Sequence, residues 1–267
     1  MRAIRCFSMV FVAVITAASL TGCGDDAVSA VPGTQAAFVL SGAIDTPETF
    51  YDFPYPSDLR LTAQGTPDLT GMPMRSDKTM VAAVAKLVSQ HQGFPMAPAI
   101  YFRFDAKLPQ LDPETPYAAS LDSPVLIVDI GDVASARGTL HPSVVFNFWP
   151  DAYAPKYLLA VAPWRGVVLE PHRRYAAVVL RSLKDDQGKP LGSSAAFEIL
   201  KGGGDPGGER GAEVTKLYKP LWETLDKIGL DRQRVAAASV FTTGDVVSEI
   251  ALLSNTLLTQ YHPKIEG

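Results

Sequence analysis

The apolar positions of this chain fall into three rhythms. Over residues 100–105, Ile100, Phe102 and Phe104 alternate with Tyr101, Arg103 and Asp105, the two-residue period of a half-buried strand. Short apolar runs punctuated by Pro and Gly predict further strands over 125–130, 144–149, 157–162, 174–181, 195–200 and 235–242. A spacing of three and four residues marks helices instead. Met80, Val81, Val84, Leu87, Val88 and His91 predict a helix over 76–92, with Ser76 or Asp77 to cap its start and Gly93 to close it. Val214, Leu217, Tyr218, Leu221, Trp222, Leu225 and Ile228 share one face of a second helix, in which Pro220 predicts a kink or a restart and Gly229 the end. Asp245 caps a last helix running to about Tyr261, with Val247, Ile250, Ala251, Leu253, Leu257 and Leu258 mostly on its apolar side. The third rhythm is a mostly apolar stretch from Phe7 to Leu20.

Between these elements the composition changes. Residues 24–34 are rich in Gly, Asp, Ser, Pro and Ala without periodicity, which reads as a tether. Residues 38–73 are rich in Pro, Asp and Thr, and the run Phe53-Pro54-Tyr55-Pro56-Ser57-Asp58 reads as an extended segment laid on a core or as plain loop. Asp185, Asp186, Gly188 and Pro190 predict a turn. The glycines of 202–208 read as a hinge, a flexible linker. Short strands without intervening helices predict a mainly β class, an antiparallel sandwich with flanking α-helices.

The start of the chain bears on the compartment. Arg2 and Arg5 precede the apolar stretch, which is too short to span a bilayer comfortably, and Leu20-Thr21-Gly22-Cys23 follows. That arrangement describes a signal peptide and not a transmembrane helix. The tetrapeptide resembles the lipobox of bacterial lipoproteins, which implies cleavage after Gly22 and lipid on Cys23. Cys6 would leave with the leader, so the expected mature chain has no thiol for a disulfide or a thiolate metal site. Removing 22 of the 267 residues leaves 245, enough for one large domain or two small ones. A formal charge of −4 without a basic stripe argues against a nucleic-acid partner.

Active-site signatures are missing from the sequence. It has no Gly-x-Ser-x-Gly elbow, no Ser-x-x-Lys and no His-Glu-x-x-His, and His91, His141, His172 and His262 are scattered. The 202–208 glycines lack the Gly-Lys-Ser/Thr ending of a phosphate cradle. No catalytic residue, cofactor site or metal site is expected. Tyr51, Phe53, Tyr55, Phe148, Trp149, Tyr153 and Trp164 are candidates to line a sugar- or lipid-binding face, with Trp149, Tyr153 and Trp164 as the ligand platform.

Four short motifs resemble one family. Residues 53–59 are similar to the FPxPxDLL-like opening of the N-terminal domains of bacterial extracellular lipases of the virulence-factor type. The block 163–175, from Pro163-Trp164-Arg165-Gly166 to Glu170-Pro171-His172-Arg173-Arg174-Tyr175, resembles the PLxPxTxY strand entry of those domains and of bacterial Ig-like modules. The turn through Asp185, Gly188, Pro190 and Leu191 resembles their DxxGxPL hairpin, and Phe241-Thr242-Thr243 their closing FTTQ. His172-Arg173-Arg174 stands where a threonine is usual, and Gly244 replaces the glutamine.

The resemblance implies an Ig-like sandwich without an active site of its own. It also implies an accessory module of a lipase- or esterase-like hydrolase whose catalytic domain would follow near Gly267, either as a fragment of that larger protein or as a free-standing remnant. The expected divisions are a leader (1–22), a tether (23–37), a segment and helix packed on the sandwich (38–93), an Ig-like sandwich (94–201), and the hinge, two helices and a strand (202–267). The expected partners are a membrane, through lipid on Cys23, and a C-terminal hydrolase domain. The alternative is a stand-alone ligand-binding or adhesion lipoprotein. The expected location is the cell envelope, at the outer membrane or cell surface.

Overall fold

A computed structural model describes residues 28–75 and 79–262. The leader and Cys23 lie outside the described residues, as does the expected cap at Ser76 or Asp77.

Seven strands form two antiparallel sheets. In chain order they are β1 (Ile100–Arg103), β2 (Val125–Asp129), β3 (Leu140–His141), β4 (Ser143–Asn147), β5 (Leu158–Pro163), β6 (Arg174–Leu180) and β7 (Val235–Thr242). One sheet has the order β1-β5-β4 and the other β3-β2-β6-β7. The longest pairing joins β6 to β7, from Arg174 opposite Thr242 to Leu180 opposite Val235, with an irregularity at Val179/Leu180.

Alternation sorts the side chains of the four-stranded sheet onto two cores. Val125, Ile127, Tyr175, Ala177, Val179, Ala237 and Phe241 face a core shared with Ile100, Phe102, Val145, Leu159 and Val161 of the other sheet. The intervening Leu126, Val128, Ala176, Val178, Leu180, Ala238 and Val240 face a second core. Both faces are therefore buried, which is why β2, β6 and β7 read as continuous apolar runs where a half-exposed strand would alternate. The result is three layers: the small sheet, the large sheet and a helical layer.

That helical layer is α2 (Ala195–Lys201) and α3 (Gly211–Ile228). The strand expected over 195–200 is a helix. Ser194 caps it by accepting from Phe197 N at 3.2 Å, and Phe197, Leu200 and Lys201 turn to one buried side, a spacing only a helix gives. Its end is held by a buried ion network: Lys201 Nζ reaches Glu198 at 2.8 Å and the Val235 carbonyl at 3.1 Å, and Arg181 pairs with the same Glu198 at 2.8 Å. The glycines read as a hinge are tied at both ends. Gly202, Gly203 and Gly204 donate to the last carbonyls of α2, Asp205 accepts from Gly207 N at 2.8 Å, and Arg210 N donates to Leu40 O at 3.0 Å.

α3 runs through Pro220 without the expected restart. The Arg137 guanidinium donates to Pro220 O at 3.0 Å and to Thr224 Oγ1 at 2.7 Å, both on the turn that follows the proline. Gly229, left-handed at φ +77°, closes the helix, and Leu230 N returns to Leu225 O.

The proline-rich segment before β1 is laid on the core. Phe50 and Phe53 are fully buried. Tyr55 exchanges backbone hydrogen bonds with Tyr101, extending the small sheet past β1. Asp58 accepts from both the backbone N and the Oγ1 of Thr242, each at 2.7 Å. Motifs about 180 residues apart in sequence thus meet at the end of β7. The remaining helices, α1 (Thr79–Val88) and α4 (Val246–Gln260), have no buried residue among those described. Asp245 caps α4 as expected, accepting from Ser248 N at 2.9 Å.

Candidate functional site

A concave feature follows from that geometry. Beyond the edge of β1, the chain 51–74, the loop 148–158 and α1 enclose an apolar groove of about 660 Å³, within the range of ligand pockets. Its floor is a chain of ring contacts: Tyr51 to Tyr101 at 5.5 Å, Tyr101 to Phe148 at 5.8 Å, and Tyr55 edge-on to Phe94 at 5.7 Å. Met72, Met74 and Met80 line it with Val81, Val84 and Val88 of α1. Methionine is unbranched and polarisable, so such a wall adapts to the shape of what it covers.

α1 roofs the groove with one face and leaves the other in solvent. Met80 is 78% exposed although it borders the groove, and Val84 and Leu87 are more than half exposed. The helix is amphipathic in pattern, yet the surface opposite its apolar side is a cavity and not a packed core.

Three tyrosines bring polarity to the floor. Burial pushes the Tyr51, Tyr55 and Tyr101 hydroxyls above the usual phenol range, and at Tyr51 and Tyr55 the neighbouring tyrosines add a smaller rise. The Arg60 charge behind Tyr51 and Tyr55 opposes the shift. Arg60 itself is buried, stacks on Phe50 at 4.1 Å and donates to the Ile44 and Phe50 carbonyls.

The platform residues separate. Tyr153 lines the groove, its loop held by Asp151 Oδ1, which accepts from Tyr153 N at 2.7 Å and Ala154 N at 2.9 Å. Trp149 follows Phe148 and is 88% exposed, outside the lining. Trp164 lies past the opposite end of β5, about 20 Å of strand away; it is half-buried, with the Arg165 guanidinium 5.8 Å from its ring. Of the wider aromatic set, Tyr51, Tyr55 and Phe148 reach the groove, while Phe53 is buried in the helical-layer core.

Tyr101 and Phe94 line the groove and were not singled out as ligand residues. Tyr101 sits on the polar phase of the β1 alternation, and that outward phase is the one facing the groove. A tyrosine among the charged positions of a strand was the available signal.

A second apolar surface belongs to α4. Ile250, Leu252, Leu253 and Leu258 are each 60% exposed or more. Among the described residues no helix is long and apolar enough to cross a membrane, and no group of three His, Cys, Asp or Glu side chains is placed to hold a metal ion. No family model, curated protein or solved structure matches the chain.

Proposed function

We propose that this chain is an exported lipoprotein, anchored to the cell envelope through lipid on Cys23. In this reading it is a non-catalytic accessory module of an extracellular lipase- or esterase-like hydrolase, and it holds an apolar ligand beneath α1. The observation that carries the reading is the groove: an apolar cavity of about 660 Å³ with a few polar residues in its wall is the usual form of a small-molecule site. The exposed apolar face of α4 supports a further domain or subunit as partner, because contiguous apolar surface of this kind marks interaction sites.

The two-sheet body is, in the same proposal, an Ig-like sandwich. Support comes from Tyr175, at the start of β6, whose hydroxyl accepts from Glu170 N at 3.0 Å. A tyrosine bonded back to the backbone a few residues upstream is a feature of that architecture.

Titration of the purified protein with a long-chain apolar fluorophore tests the reading. Saturable binding that is lost when Ala85→Trp fills the groove supports it; unsaturable partitioning, or binding indifferent to that change, contradicts it. Anchoring has its own test. Cys23→Ser is expected to move the protein from the membrane to the soluble fraction, and unchanged partition would refute the anchor. The stand-alone binding or adhesion reading is favoured by one observation, the exposed Trp149; a glycan pulldown abolished by Trp149→Ala would select it.

A further inference from the structure

The polar groups of the groove narrow what it takes, an inference that rests on the groove being a ligand site. Tyr51, Tyr55 and Tyr101 are residues of its wall, and the Tyr51 and Tyr101 rings lie 5.5 Å apart. Among the described residues none of the three hydroxyls has a hydrogen-bond partner. A phenol is protonated at neutral pH and burial raises its pKa further, so each hydroxyl is a donor without an acceptor.

Charge supplies the second constraint. Among the described lining residues there is no Lys, Arg or His, and the one carboxylate is Asp151. Arg60 stands behind the tyrosines and outside the lining, its Nη2 donating to two carbonyls and its Nε buried without a partner. An anion entering here would lose its hydration, meet a negative side chain and find no cation among the described residues of the wall. A cation would lose its water as well, and on the described wall its one counter-charge is Asp151, whose Oδ1 already accepts from two backbone N–H groups.

We propose that the groove selects an uncharged long-chain ester, its carbonyl oxygen accepting from the Tyr51 and Tyr101 hydroxyls and its chain lying against Met72, Met80 and Val84. The carboxylate of the same chain is rejected for want of a counter-charge.

Three probes that differ only at the head test this: pyrenedecanoic acid methyl ester, pyrenedecanoate, and a pyrenedecyl trimethylammonium salt. Each is titrated by fluorescence into the purified protein at neutral pH. The ester is expected to bind at least about tenfold more tightly than either charged probe. Tyr101→Phe keeps the ring and removes no internal hydrogen bond, so the fold is retained. It is expected to weaken the ester about fivefold and leave the carboxylate unchanged. Equal or tighter binding of either charged probe overturns the proposal, as does an ester affinity unmoved in a Tyr51→Phe/Tyr101→Phe double variant. Ala85→Trp separates the two levels. If it leaves all three probes bound as before, the groove is not the site. If it blocks them all while the wild type shows no preference for the ester, the charge selection alone fails.

Discussion

α3 and α4 are both amphipathic by sequence and capped or closed by recognisable residues, yet their apolar faces end in opposite places. Val214, Tyr218, Leu221 and Leu225 of α3 are fully buried on the large sheet, and the Tyr218 hydroxyl donates to Ala238 O at 2.8 Å. Ile250, Leu253 and Leu258 of α4 stand in solvent. The helical period decides which side of a helix is apolar, but tertiary partners decide whether that side is core. Apolar surface left over once the cores are filled is then the place to look for binding, and it lies on α1, α4 and the groove wall.

Substitutions should sharpen the contrast. Leu221→Ala in α3 leaves a cavity in a close-packed layer and is expected to cost about 2–5 kcal/mol in chemical denaturation. Asp58→Ala strands the Thr242 backbone N–H at the join between the proline-rich segment and β7, and is expected to cost about 1–3 kcal/mol by the same assay. Leu253→Ala in α4 should change stability by less than about 0.5 kcal/mol. A loss as large as that of Leu221→Ala would show that α4 is packed, and the comparison would collapse.

Acid adds a smaller effect, located in the sandwich. His141 lies edge-on to Tyr175 at 5.7 Å; desolvation holds its pKa below the ordinary 6.5, with Arg173 acting in the same direction and Asp129 and Glu170 against it. The unfolded chain therefore binds the proton more readily. Stability is present above pH 6.5 and falls as the pH drops through the depressed folded value. Melting temperatures measured at stepwise lower pH should show this loss reduced in His141→Gln. A parallel decline in both proteins would assign the acid sensitivity elsewhere.

The parts of the fold legible in the sequence were those where one physical signal dominated. β2, β6 and β7 were readable as apolar runs because both sheet faces are covered, and α4 because Asp245 precedes a clean period. Residues 195–200 misled: Ala-Ala-Phe-Glu-Ile-Leu is short enough to fit either period, and the Ser194 cap was the cue that favoured a helix. At Pro220 the helix continues without a restart, and Arg137, 83 residues away in sequence, contacts the proline's carbonyl.

The groove was partly legible. Aromatics between prolines at 51–55 were visible as candidates, but their meeting with Tyr101 and Phe148 depends on Tyr55 pairing with β1. Trp164 was grouped with Trp149 by residue type, although a strand's length separates them. Local sequence carries no record of which loops share an end of a sheet.

Photo-crosslinking tests the central claim most directly. The purified protein is irradiated with a diazirine-bearing long-chain methyl ester, and the labelled residues are mapped by mass spectrometry. The account predicts labels concentrated on α1, the methionines at 72–80 and Tyr101, and lost on competition with unlabelled ester. Labels concentrated on α4, or spread over the surface and indifferent to competitor, would contradict it.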